Sequence, residues 1–110
     1  MSPFASFAAR HIDAGQLHDG LKRGNIALVD VRESEEHQAE RIEGAVNLPL
    51  SRFDPKALPT IQGQAIVLHC AGGVRSAKAL NICHQSGVEV RGHLTGGINA
   101  WKAAGLPTVR

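Results

Sequence analysis

Two short, uninterrupted apolar runs constrain this chain more than anything else in it: Ile26-Ala27-Leu28-Val29 and Ala65-Ile66-Val67-Leu68, the second closing on His69. A strand with one wet face alternates apolar and polar residues, whereas a strand apolar at every position is buried on both faces. Both runs end in polar clusters, Asp30-Val31-Arg32 after the first and Cys70-Ala71-Gly72-Gly73 after the second. Helical stretches separate the runs. Asp13 can cap a helix with Gln16 three residues on as its capping-box partner, Ala14, Leu17 and Leu21 share one face, and Gly24 stops it. Ser34 is expected to cap a short helix through about Glu40, with Glu35 and Glu36 in the first turn where the dipole favours them. Ala45-Val46-Asn47-Leu48 reads as a short strand closed by Pro49, and Phe53 to Leu58 as a helical turn. A helix from Val74 to Gln85 is ended by Gly87, Val88 to Leu94 supplies another strand, and Gly96-Gly97 opens a last helix through Trp101, stopped by Gly105 and Pro107. Apolar strands alternating with helices imply an α/β fold whose parallel sheet is covered on both sides. Ligands of such sheets sit beyond the carboxyl ends of the strands, where both polar clusters fall.

The 110 residues suffice for one domain, expected over 1–110, and 43% of them are apolar, which argues against disorder. A net charge of +2 with scattered Lys and Arg, no Tyr and a single Trp gives no support for nucleic acid as a partner. No apolar run approaches the roughly 20 residues of a membrane span. The stretch from Met1 to Ala9, with Phe4 and Phe7, lacks the basic region and apolar core of a signal peptide, so a cytoplasmic location is expected. Two cysteines, Cys70 and Cys83, form neither a disulfide framework nor a CxxC pair, and the six histidines form no HxH or HxxxH array. No metal and no cofactor are expected.

Cys70 is the candidate nucleophile. It follows a buried strand and precedes two glycines and a helix start. Glycines let the backbone curl and turn successive N–H groups inward, and the helix start adds orphan donors with partial positive charge. Such a bowl suits an anion and stabilises a thiolate, the reactive form of cysteine. Arg75 and Lys78 place cationic side chains nearby. Cys83 is expected to be a core residue, about 14 Å up the same helix at 1.5 Å per residue, too far to bridge to Cys70. His69, although adjacent to the nucleophile, should point to the other face of its strand and serve packing or hydrogen bonding.

With these residues in view, the chain resembles the rhodanese family over nearly all its length. LVDVRESEEHQAERIEGAVNLPL is similar to the family's first signature, IVLHCAGGVRSAKAL to its active-site strand, loop and helix, and HLTGGINAWKAAGLP to its C-terminal signature. The resemblance implies a three-layer α/β/α fold with a five-stranded parallel sheet of strand order 1-5-4-2-3. It implies a sulfurtransferase in which Cys70 accepts a sulfane sulfur from a small anionic donor such as thiosulfate. The persulfide then passes that sulfur to a thiol or cyanide, or to a sulfur-accepting protein. By this resemblance Ala71, Gly72, Gly73, Val74, Arg75 and Ser76 form the substrate-binding loop and helix start, with Arg75 meeting donor or acceptor. Asp30 and Arg32 match the family's Asp-x-Arg, with a supporting role in ordering loops. Gly96 and Gly97 serve a turn, and Trp101 serves packing.

Two departures stand out. Glu40-Arg41-Ile42 replaces the usual Gly-His-Ile, which should alter a turn and its hydrogen bonds. Ala71 stands where thiosulfate-using members often carry Arg, so the hold on a dianionic donor should be weaker. Two rival readings remain. One is a cysteine phosphatase or arsenate reductase: the cell-cycle dual-specificity phosphatases, of similar fold, have five residues between Cys and Arg, whereas Ala71 to Val74 makes four, a smaller bowl suited to one sulfur atom. A relay or regulatory module acting on a partner protein, with little small-molecule turnover, is the other.

Overall fold

The structure is a computed structural model that describes residues 10–110. Residues 1–9, with Phe4 and Phe7, lie outside the described residues. The elements run β1 (His11–Ile12), α1 (Ala14–Arg23), β2 (Ile26–Asp30), α2 (Ser34–Ala39), β3 (Val46–Asn47), β4 (Ala65–His69), α3 (Val74–Gln85), β5 (Gly92–Leu94) and α4 (Gly97–Ala103). Two 3-10 turns, Leu50–Arg52 and Pro55–Ala57, join β3 to β4, where sequence reading expected one turn over Phe53 to Leu58. The five strands form one parallel sheet in the order β1-β5-β4-β2-β3.

The two apolar runs become the centre of that sheet. β2 and β4 pair along their full lengths, Ile26 with Ala65 through Asp30 with His69. Side chains alternate across a strand, so each run serves two cores. Val29, Val31, Leu68 and Cys70 pack with Ala79, Leu80 and Cys83 of α3 on one face. Leu28 and Val67 pack with Ala14 and Leu17 of α1 and Ile98 and Trp101 of α4 on the other. Helices therefore cover both faces, as uninterrupted apolar strands require. Among the described residues, no helix is long and apolar enough to cross a membrane.

Local signals place most boundaries. Asp13 accepts the Gln16 N–H at 2.8 Å, the Gln16 side chain accepts the Asp13 N–H at 3.0 Å, and Gly24 ends α1 in the left-handed region. Three expectations are corrected. The N-cap of α2 is Glu33, not Ser34; its N–H is taken by the Glu36 carboxylate at 3.0 Å, and the helix ends at Ala39. β3 covers only Val46–Asn47 of the expected Ala45 to Leu48. β5 starts at Gly92, not Val88, because the Val88 N–H folds back onto the Cys83 carbonyl and Val90 enters the core before the ladder begins.

One backbone contact fixes where the polar clusters sit. The first turn of α4 lies against the loop that leaves β4: the Ile98 N–H donates to the Cys70 carbonyl at 2.9 Å and the Asn99 N–H to the Ala71 carbonyl at 3.1 Å. Gly97 sits between them at φ 59°, and a Cβ there would lie 2.4 Å from both carbonyl oxygens. Neither the conformation nor the space admits a side chain. We expect Gly97→Ala to cost at least about 2 kcal/mol, combining left-handed strain with a backbone clash. Gly63→Ala, at φ 86° with nothing within 4 Å, should lose about 1 kcal/mol from conformation alone. Urea denaturation of both variants checks this, and equal losses would show that the close approach carries no weight.

Candidate active site around Cys70

Cys70 is the first residue beyond β4 and is only 1% exposed. The loop turns at Gly73, φ 107°, which begins α3 and directs its own N–H at the Cys70 Sγ from 3.0 Å. The N–H groups of Arg75 and Ser76 converge on the same sulfur, and the Ser76 hydroxyl lies 3.5 Å from it. Burial pushes the thiol's pKa up, but hydrogen bonding with the Ser76 side chain and with the N–H groups of Ser76, Gly73 and Arg75 outweighs it, and the thiol is more acidic than an ordinary cysteine. A sulfur anion held by several backbone donors at a helix start is the arrangement of a reactive thiolate.

Around this sulfur the loop residues differ in exposure. Ala71 is half-buried, Gly72 is exposed with open space where a Cβ would be, and Val74 holds its side chain 69% exposed at the lip. Arg75 does not stand free above the loop. It makes a bidentate ion pair with Glu36 of α2, Nη1 to Oε1 at 2.6 Å and Nη2 to Oε2 at 2.9 Å. The pairing holds the Glu36 carboxyl below, and the Arg75 guanidinium above, their ordinary values. Lys78 is exposed one turn along α3 and forms no ion pair among the described residues. Cys83 is 1% exposed in the core beside α3, and burial pushes its thiol up to about 11, so the two cysteines have opposite environments.

Asp30 and Arg32 form a separate cluster. Strand alternation puts Asp30 and its neighbour His69 on the sheet face opposite Cys70. The Asp30 carboxylate accepts Arg32 Nε at 3.1 Å and Nη2 at 2.8 Å, together with His37 Nδ1 at 2.9 Å. Burial opposes its charge, and the bonds from Arg32 and His37 more than offset that, so its pKa lies below the ordinary carboxylate value. Arg32 continues to the Glu40 carbonyl at 2.6 Å, while Asn47 Nδ2 donates to the carbonyls of Asp30 and Arg32. This network anchors α2, and α2 in turn presents Glu36 to Arg75. His69 places Nδ1 3.2 Å from the Cys70 carbonyl. Its Nε2 is 3.8 Å from Asp30 and is the one buried side-chain nitrogen or oxygen without a hydrogen bond among the described residues. Burial pushes the pKa of His69 down, keeping the ring neutral.

Glu40-Arg41 ties α2 to the end of the chain. The Glu40 carboxylate accepts from Lys102 at 2.8 Å and Thr108 at 2.6 Å, and Arg41 exchanges backbone bonds with Val109. Trp101, 2% exposed, donates its indole N–H to the Pro107 carbonyl at 2.8 Å. Sequence reading did not find Glu36 as the partner of Arg75, nor a buried histidine, His93, whose Nδ1 lies 2.8 Å from the Ser76 hydroxyl. Among the described residues no group of three or more His, Cys, Asp or Glu side chains is placed to hold a metal ion.

A family model for the rhodanese-like domain matches residues 13–104, which include the sheet, the Cys70 loop and α4. The chain belongs to the rhodanese-like family. It is 49% identical over 85 residues to an uncharacterized protein of Synechocystis sp., covering 77% of this chain and 48% of that one. It is 40% identical over 91 residues to a probable adenylyltransferase/sulfurtransferase of Mycobacterium tuberculosis, covering 78% of this chain and 23% of that protein. The chain thus spans about half or less of the length of these curated relatives. The crystal structure of a rhodanese-related protein from Thermoplasma volcanium superposes with a TM-score of 0.78 at 32% identity, over 91% of this chain and 97% of the other. The five-stranded order and the flanking helices are those of a rhodanese-like domain.

The buried imidazoles give the fold an acid dependence of definite sign. His69 and His93 are both held below the ordinary imidazole value of about 6.5, in each case chiefly by burial. Below that pH the unfolded chain takes up protons that the folded chain refuses, so stability falls as pH drops. Asp30 adds a further loss only as pH falls below the ordinary carboxylate range through its lowered pKa. We expect unfolding free energy, measured in urea at pH 7, 6 and 5, to decline steadily, with His69→Gln showing a shallower slope. An unchanged slope would remove His69 from this account.

Proposed function

We propose that this rhodanese-like chain is a sulfurtransferase that carries a sulfane sulfur on Cys70. The observation that carries this reading is the convergence of three backbone N–H groups and the Ser76 hydroxyl on one buried sulfur with a lowered pKa. The sulfurtransferase in the name of the mycobacterial relative supports it, since this chain matches a segment of that protein. In the first half-reaction the Cys70 thiolate attacks the outer sulfur of a donor such as thiosulfate. The new S–S bond forms as the donor's own S–S bond breaks, and sulfite leaves with the electron pair. In the second half-reaction a thiolate or cyanide attacks the outer sulfur of the persulfide, and Cys70 leaves as the thiolate it began as. No cofactor enters, because the bonds broken and formed are all to sulfur.

The loop favours a modestly charged donor. Ala71 offers no cation, and the Arg75 charge is shared with Glu36 at 2.6 Å. A dianion is therefore held chiefly by backbone dipoles. The exposed Val74 at the lip also suits a protein acceptor, which keeps a relay to a partner as the second reading.

Mass spectrometry of the intact chain after incubation with thiosulfate, polysulfide or a persulfidated thiol should show the mass of one added sulfur. Cyanide should remove it as thiocyanate. Cys70→Ser should abolish loading, and Cys83→Ser should leave it intact. No added sulfur from any of these donors sinks the proposal.

The ion pair gives a charge test of the same site. Glu36→Gln should lower the KM for thiosulfate about two- to fivefold by freeing Arg75, the range of a partly exposed charge contact worth about 0.5–1 kcal/mol. Arg75→Ala should raise it. If KM moves in neither variant, Arg75 does not meet the donor.

A further inference from the structure

His93 lies on β5, 5% exposed, and pairs in register with Leu68 on the sheet face that carries Cys70. Its Nδ1 is 2.8 Å from the Ser76 Oγ, and that same oxygen is 3.5 Å from the Cys70 Sγ. A third neighbour of the hydroxyl is the Gly73 carbonyl, at 3.3 Å. A serine hydroxyl has one proton to give and two lone pairs to accept with. Three acceptors thus compete for one proton, and the direction it takes decides whether Ser76 supports the thiolate or leaves it unsupported. If the imidazole presents a bare Nδ1, Ser76 donates to it, and Sγ receives nothing from the hydroxyl. If the imidazole presents Nδ1–H, Ser76 must accept from the ring, and its proton is free to turn to the sulfur.

We propose that His93 is a positioning residue which, by donating from Nδ1 to Ser76, orients the Ser76 hydroxyl toward Sγ and stabilises the Cys70 thiolate. The proton arithmetic is closed. The ring carries its proton on Nδ1 throughout and donates it to a lone pair of Ser76; Cys70 gives up its proton to solvent, and the Ser76 O–H turns to the sulfur. Protonation of His93 enforces this state, because an imidazolium can only donate. The thiolate and the protonated ring therefore favour one another through the hydroxyl, and each is easier to form when the other is present. The titratable group facing His93 from β1 is His11, whose ring centroid is 5.2 Å away and whose positive form disfavours a charged His93. From α3 it faces Ser76, and beyond that Cys70. Burial pushes the pKa of His93 down, so the ring is uncharged over the neutral range. There it acts as the Nδ1–H tautomer that the proposal assigns, and the imidazolium adds to the effect in acid.

This inference rests on Cys70 being the reacting thiol, and its test needs no sulfur donor. The readout is the ultraviolet absorbance of the thiolate across a pH titration, taken as the difference between each protein and its Cys70→Ser counterpart. In the wild-type chain the midpoint should lie below the ordinary thiol value of about 8.5. His93→Leu should raise it by about half to one pH unit, the range of one hydrogen bond's contribution. His93→Asn, whose amide can donate from nearly the same place but does not titrate, should restore most of that shift and leave a single titration step. In a Ser76→Ala background His93→Leu should have no further effect. A His93→Leu midpoint equal to or below wild type overturns the proposal. So does a shift that persists without the Ser76 hydroxyl, or a wild-type midpoint in the ordinary thiol range. A circular-dichroism melt accompanies each variant, and if His93→Leu fails to fold, the Asn and Ser76→Ala variants carry the same comparison. If sulfur loading fails while the midpoints move as expected, the transfer reading falls and the role of His93 stands.

Discussion

The Cys70 loop exists in its present shape because two stretches of backbone come within hydrogen-bonding distance with nothing between them. The carbonyls of Cys70 and Ala71 are taken by the first turn of α4, and the N–H of Gly73 reaches the sulfur from the peptide unit that follows. Those two bonds fix the Cys70–Ala71 and Ala71–Gly72 peptide units, and the chain then turns at Gly73, whose own N–H reaches the sulfur. Gly97 makes the approach possible, and Gly73 makes the turn that brings the chain round into α3. The loop that carries the thiol is thus held partly by a helix more than twenty-five residues further along the chain.

The two polar clusters at the carboxyl end of the sheet divide the labour by face. Asp30, Arg32, His37 and His69 form a buried electrostatic knot on one side, whose visible effect is to fix α2 against the end of β2. Cys70, Ser76 and His93 lie on the other side with α3. α2 reaches both, His37 into the knot and the adjacent Glu36 to the guanidinium at the loop. A single turn of helix therefore links a structural ion pair to the charge balance of the site.

What the sequence made legible follows from how local the signal is. β2 and β4 were readable because burial on both faces leaves a run with no alternation. The boundaries of α1 were readable because Asp13, Gln16 and Gly24 act within a turn of the residues they cap. β1 was not, because His11–Ile12 is two residues with no pattern of its own and is a strand only by pairing with β5. The start of β5 was misread because Val88 and Val90 are apolar for the sake of the core and not for a ladder. At the site, Cys70 and its glycines announced themselves within a few residues. Glu36 and His93 did not, since they meet Arg75 and Ser76 across sequence separations of 39 and 17 residues that only the sheet order closes. Glu36 looked like a residue serving its helix dipole, and its bond to the Glu33 N–H shows that it does that as well.

The near-complete enclosure of Sγ has a consequence for traffic through such a site. A sulfur bonded to Cys70 would stand about 2 Å further out than Sγ itself. The sulfur that carries it belongs to a residue only 1% exposed. Once the site is loaded, an acceptor would meet the freight and not the carrier. A bulky oxidant or a stray disulfide could not easily reach down to the cysteine, whereas a slender nucleophile need only touch the surface to collect. Protection and delivery would come from the same depth of burial.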